Sequence, residues 1–208
     1  MLASAEIRWF WRDDCPEQAR KWFFETGLPP GGGHPRIDRY LAQPNAREIG
    51  IKERGGDKPS LEFKGLLKTV TVPSVDTLAS HCEIWCKWSF SHRGVQLIEE
   101  TKTTKRRWLR KFDTATPVRA EIPLDPDEKP KLGYSLPNQG CNAELTEVKI
   151  ENRSDIWWTL GFEAFGDLET VPTNLTRGLL PDATALVNIV SSGALLSYPE
   201  WLMARLAD

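Results

Sequence analysis

The chain has 208 residues, with 27 basic and 29 acidic side chains for a net charge of -2. That length suffices for one large core, and all-β barrels commonly reach it as single domains, so one domain over residues 1–208 is expected. The near-neutral balance excludes a general polyanion or membrane-surface binder: neither nucleic acid nor membrane is expected as a partner, and any anion site must be local.

Residues 4–11, SAEIRWFW, alternate strictly, placing Ser4, Glu6 and Arg8 on one face of a strand and Ala5, Ile7 and Trp9 on the other. This start has no basic region followed by a long apolar run, and no later stretch approaches the roughly 18 apolar residues that span a bilayer, so a cytoplasmic location is expected. Residues 15–26, CPEQARKWFFET, set Pro16 and Glu17 ahead of Ala19, Trp22 and Phe23, as a short amphipathic helix does. LPPGGGHPR then interrupts the pattern. Residues 37–42 read as a short strand, with Arg36, Asp38 and Tyr40 on one side.

Residues 47–66, REIGIKERGGDKPSLEFKGL, are two alternating runs around a Gly-Gly-Asp-Lys-Pro turn, an antiparallel hairpin after a turn at residues 43–45. Glu48, Gly50, Lys52 and Arg54 share one face of the first run, and Glu62 and Lys64 share one face of the second. A further strand is expected over residues 66–75, ending at Pro73, and one or two helical turns over 74–82. Residues 83–91, EIWCKWSFS, alternate again, with Glu83, Trp85 and Lys87 together. In the strand read over residues 97–112, six of the eleven positions 101–111 are basic. Lys105 and Arg107 lie on one face, Lys102, Arg106 and Arg110 on the other, and the pattern leaves open which is inward.

Residues 113–140 are proline-rich and aperiodic, a long excursion with one short strand near 118–122. A second hairpin follows over residues 143–150 and 156–164, with Glu144, Thr146 and Val148 on one face of the first strand. Trp157, Thr159, Gly161 and Glu163 share a face of its partner. From about residue 176 the strand pattern ends, and helices are expected over 182–191 and 198–207. Cys15, Cys82, Cys86 and Cys141 are too scattered for a disulfide framework and read as buried thiols. Nine tryptophans imply a core or pocket walls built from large flat side chains.

Several strands carry a Glu and a Lys or Arg on the same face. Closing them into a barrel removes the sheet edges, and the expected fold is α+β, an antiparallel closed β-barrel or tunnel of about eight strands with peripheral helices. With charges inward, basic groups can hold phosphate oxygens and carboxylates a divalent metal. A lipocalin-like carrier barrel for an apolar ligand is the alternative, and it calls for apolar inward faces.

The order of a short acidic first strand, R-I-D-x-Y-L, the I-x-I-K turn L-E-F-K-G hairpin, a Thr-Lys-rich basic strand and a late strand ending in F-E resembles the CYTH superfamily. These are the triphosphate tunnel metalloenzymes, which include thiamine triphosphatases, inorganic triphosphatases and class IV adenylate cyclases. The resemblance covers roughly residues 4–166. It implies a cytoplasmic triphosphatase acting on a small-molecule triphosphate or polyphosphate with Mg²⁺ or Mn²⁺. Carried over by position, it implies that Glu6 and Arg8 are catalytic and that Lys52, Arg54, Lys64, Lys105 and Arg107 bind substrate. Glu6, Glu144 and Glu163 would hold metal. The chain departs from the family pattern where Ser4 replaces the first glutamate, Arg8 replaces a lysine, and Gly50 replaces one of two alternating arginines. Arginine keeps the charge but is a poor proton acceptor. The same motif therefore also suits a tunnel that binds an anion without turning it over. The sequence leaves the oligomeric state and the particular triphosphate open.

Overall fold

The computed structural model describes residues 2–41, 46–55, 59–72, 78–79, 81–91, 97 and 100–207. Eight antiparallel strands form a closed barrel. In spatial order they are β1 (Leu2–Arg12), β5 (Cys82–Ser91), β4 (Ser60–Val70), β3 (Ile49–Arg54), β2 (Gly31–Leu41), β6 (Glu100–Asp113), β8 (Gly140–Ile150) and β9 (Ile156–Gly166). The ladder between β1 and β9, from Ala3 opposite Gly166 to Arg12 opposite Trp157, closes the ring. Two short strands lie outside it: β7 (Ala120–Ile122) pairs with β6, and β10 (Ala194–Leu195) with β1.

Alternation decides what the two surfaces of this wall carry. On β1 the small and apolar residues Ala3, Ala5, Ile7, Trp9 and Trp11 face outward, whereas Glu6 and Arg8 face the lumen. A barrel with a polar interior must bury its apolar face against something outside. Three helices do this: α1 (Glu17–Glu25) through Ala19, Trp22 and Phe23, α2 (Val171–Leu179) through Val171, Leu175 and Leu179, and α3 (Ala183–Val190) through Leu186, Ile189 and Val190. The main hydrophobic core therefore lies between the wall and these helices.

The helix α4 (Tyr198–Leu206) does something else. Its start is fixed by a capping box, in which Ser197 Oγ accepts from the Glu200 N–H at 3.3 Å and the Glu200 carboxylate accepts from the Ser197 N–H at 3.1 Å. Trp201 and Leu202 then join Phe10, Tyr40, Val148 and Ile150, inward residues of three strands at one end of the barrel, in a second apolar cluster. Trp201 stacks on Phe10 with ring centroids 5.2 Å apart. That end of the lumen is stoppered by aromatic side chains.

Three sequence expectations change. The glycine run does not break the chain: Gly31 and its neighbours begin β2, which is eleven residues long, with a register shift between Gly32 and Pro35. Gly32 and Gly33 have φ of +95° and +91°, the left-handed region glycine adopts without strain, and this lets a bulge sit inside a strand. The separate strand expected after residue 66 is the continuation of β4, which passes a register shift between Leu66 and Lys68 and reaches Val70. Helix α2 begins at Val171, ahead of the expected start of the C-terminal helices; it has only nine residues and includes Pro172, which leaves little periodicity to read. The expected turn at 43–45, residues 56–58 of the expected Gly-Gly-Asp-Lys-Pro turn, and most of the helical turns expected over 74–82 lie outside the described residues.

Candidate functional site

The lumen holds a cavity of about 360 Å³, and all nine expected site residues line it: Glu6, Arg8, Lys52, Arg54, Lys64, Lys105, Arg107, Glu144 and Glu163. The face of β6 is now assigned. Lys105, Arg107 and Lys111 point inward, while Arg110 lies on the other face and pairs with Glu121 at 2.7 Å beside Trp22. Arg36, Glu62, Lys87, Lys111 and Glu128 also line the cavity and were not among the expected site residues. Arg36, Glu62 and Lys87 share the charged face of their strands with residues already noted there. Glu128 comes from the aperiodic excursion, where no pattern could have flagged it.

Nine lysine and arginine side chains and five carboxylates line this cavity, and Asp38 is buried against three of the cations, so nine cations face six carboxylates, a formal excess of three positive charges in a protein of net charge -2. They form two groups. The first surrounds Asp38, a wholly buried carboxylate on β2 that stands 3.3 Å from Arg36, 3.6 Å from Lys105 and 3.8 Å from Lys52. Neither of its oxygens makes a hydrogen bond. Burial pushes its pKa up, but Lys105, Lys52, Arg36 and Arg54 outweigh that and hold it well below the usual carboxylate range. The same burial lowers Lys52 and Lys105 to about 7, since the attraction of Asp38 only partly offsets the loss of water. Glu62 completes the group, 3.2 Å from Lys52 and 3.3 Å from Arg54.

The second group is built on Glu144. One oxygen accepts from Arg8 at 2.8 Å and the other from Arg107 at 2.7 Å, and Arg8 also donates to Thr159 Oγ1 at 3.0 Å. Gly161 makes room for Arg8, because a Cβ there would stand 2.5 Å from the guanidinium carbon. Glu6 is engaged by the Lys64 ammonium and accepts from Ser4 Oγ at 2.6 Å. Glu163, directly opposite Glu6 across the β1–β9 ladder, has no hydrogen bond or ion pair among the described residues. Burial raises its pKa, and the nearby Glu6 and Glu144 raise it further.

The carboxylates expected to hold a metal do not form a donor set as they stand. Among the described residues no three His, Cys, Asp or Glu side chains are grouped closely enough to share an ion. Glu6 and Glu144 are spent on lysine and arginine partners, which leaves Glu163 alone. What the arrangement can do is hold a compact polyanion: guanidinium groups offer paired N–H donors to phosphate oxygens, and the enclosed lumen strengthens each contact. Toward the stoppered end the lining turns aromatic and apolar, with the Lys105 ammonium 3.7 Å from the Tyr198 ring centre and Leu41, Ile51 and Leu202 at the lip.

Fold and site together define a closed antiparallel β-barrel whose lumen is lined with ion pairs and carries an excess of cations. No protein-family model and no curated protein matches the chain. Among the described residues no helix is long and apolar enough to cross a membrane.

Proposed function

We propose that the barrel binds a small phosphoanhydride, a triphosphate or polyphosphate compound, inside its lumen. The observation that carries this reading is the gathering of nine cationic side chains around one cavity of a chain whose overall charge is negative. Burying so many like charges is costly unless an anion offsets it, and the five lining carboxylates together with Asp38 offset only part. The motif order that resembles the CYTH superfamily supports a linked phosphate chain over other polyanions. An apolar ligand is disfavoured, since nine cationic and five carboxylate side chains share the lining with the apolar Leu41, Leu109, Leu136 and Leu202.

The test is thermal unfolding with tripolyphosphate, thiamine triphosphate, ATP and orthophosphate, in EDTA and again with Mg²⁺ or Mn²⁺, the cofactors the resemblance implies. A ligand that binds only the folded chain raises the melting temperature with concentration. Tripolyphosphate or an organic triphosphate is expected to do so, and release of orthophosphate in the same samples would add turnover to binding. If none of the four moves the transition under any condition, the reading fails.

A further inference from the structure

Arg107 has no free edge. Its Nη1 donates to Glu144 at 2.7 Å, its Nε donates to Glu128 at 3.0 Å, and its Nη2 takes the second oxygen of Glu128. A carboxylate seated on a guanidinium in this two-point fashion occupies the place a phosphate would take. We propose that Glu128 is a built-in competitor for the phosphate subsite at Arg107, and that any ligand must displace it to enter; the proposal rests on the phosphoanhydride reading above.

The two carboxylates on Arg107 are not equivalent. Glu144 sits on a barrel strand, is buried, and is held by Arg8 as well. Glu128 arrives on a turn between β7 and β8, is about a quarter exposed, and among the described residues pairs with Arg107 alone. It is the partner that can leave. Its placement is nevertheless built in. The Glu128 N–H donates to the Asp125 carbonyl at 3.0 Å, and the Asp125 side chain accepts from the N–H groups of Asp127 and Lys129, each at 2.9 Å. The turn docks on the glycine run, where Gly32 N–H donates to the Pro126 carbonyl at 3.1 Å. A Cβ on Gly31 would lie 2.5 Å from the Asp125 carbonyl oxygen, and one on Gly32 would lie 2.9 Å from Glu128 Oε1. Glu128 itself has φ of +63°, an uncommon conformation for a residue with a side chain.

The consequence is a threshold on ligand charge. A single phosphate that reaches Arg107 exchanges one anion for another and gains little. A linked chain gives up the same amount at Arg107 but also reaches Lys111, which donates to Asn142 at 2.6 Å and has no ion pair among the described residues. Orthophosphate and sulfate are thereby kept out, while a triphosphate still binds.

The experiment compares wild type, Glu128→Gln and Glu128→Ala by calorimetric titration with tripolyphosphate and with orthophosphate in EDTA. Both variants are expected to bind tripolyphosphate on the order of tenfold more tightly, the factor that goes with freeing a charge-assisted hydrogen-bonded pair. Orthophosphate binding becomes measurable only in the variants. In an Arg107→Gln background the effect of Glu128→Gln disappears. A gain in affinity is not something a damaged fold produces. If wild type binds tripolyphosphate and neither variant binds it more tightly, the competitor role is overturned while the cavity reading stands; if wild type binds no phosphate compound, the cavity reading itself has failed.

Discussion

Asp38 and Lys105 stand 3.6 Å apart inside the barrel wall, the carboxylate wholly buried and the lysine nearly so. Their placement follows from the β2–β6 register, in which Arg36 lies directly opposite Lys105 and two like charges would face each other on one side of the sheet. Asp38, two residues along β2, faces the same lumen and offsets both. Replacing it with Asn leaves Arg36 and Lys105 without an ion-pair partner among the described residues and Lys52 with Glu62 alone. We expect Asp38→Asn to lose about 3–5 kcal/mol of stability, the usual consequence of removing one partner from a buried ionic group. Part of that loss should return when tripolyphosphate is added. Urea unfolding with and without the anion checks both halves, and a midpoint unchanged by the substitution would show that the cluster is hydrated and not dependent on Asp38.

Lys52 and Lys105 titrate near 7 in the folded chain, burial being the main cause, against about 10.4 in an unfolded one. Between those values the unfolded chain holds more protons, so the contribution of these lysines to stability increases as pH rises above about 7. An anion beside them reverses the preference and recharges them. Tripolyphosphate binding at pH about 8 should therefore take up protons, and binding at pH about 6, where both lysines are already charged, should take up few. Affinity falls correspondingly from pH 6 to 8. Titration calorimetry in Tris and in HEPES reads the proton count directly, and equal heats in the two buffers at the higher pH would rule the coupling out.

The parts of this site that were legible in the sequence are those on regular strands. Where period-2 alternation runs unbroken, as in Ser4, Glu6 and Arg8 or in Lys52 and Arg54, the shared face can be read directly: Glu6, Arg8, Lys52 and Arg54 all lie on the cavity, while Ser4 supports it from outside the lining by donating to Glu6. On β6 the alternation leaves two basic faces with no means of choosing between them. The choice is made by packing outside the barrel, where Arg110 is committed to Glu121 and the Trp22 ring. Glu128 was beyond reach for a different reason: its position depends on a turn docking against glycines almost a hundred residues away, a long-range contact with no local signature. The glycine run looked like an interruption on the same grounds, since its close approach to that turn is invisible until the two are brought together.

Gly161 tests how firmly Arg8 is tied to its place. The nearest atoms a new Cβ would meet are the guanidinium carbon and nitrogens of Arg8, at 2.5 to 2.7 Å, and these belong to the far end of a flexible side chain. Gly161→Ala should therefore leave the barrel folded, at a cost of about 1–3 kcal/mol, but push Arg8 off Glu144 and Thr159. Anion affinity should fall, and Arg8→Met should produce a similar fall with no further loss in the double variant. Independent losses in the two single variants would mean that Arg8 stays on Glu144 when Gly161 is changed.

Trp201 is the last element of this kind, because the stopper depends on it more than on any other residue of α4. It is almost completely buried, stacks on Phe10 at 5.2 Å, and meets Tyr198 and Trp157 edge-on at 5.8 and 5.9 Å. Beyond its capping box, α4 is a nine-residue helix, too short to persist without packing. Trp201→Ala removes the largest side chain of that packing at an expected cost of about 3–5 kcal/mol, toward the low end because its indole N–H is buried without an acceptor. The loss should be local before it is global: amides over residues 198–206 should exchange rapidly while those of the β1–β9 ladder remain protected. With the stopper loosened, Tyr198 leaves the Lys105 ammonium it now covers, and water reaches a lysine whose low pKa comes from burial. The proton uptake that accompanies tripolyphosphate binding at pH about 8 should then shrink, because the rehydrated lysine is already charged before the anion arrives. Hydrogen exchange and the two-buffer titration on the same variant measure the two effects separately. Protected helix amides together with full proton uptake would show that α4 rests on the barrel without sealing it.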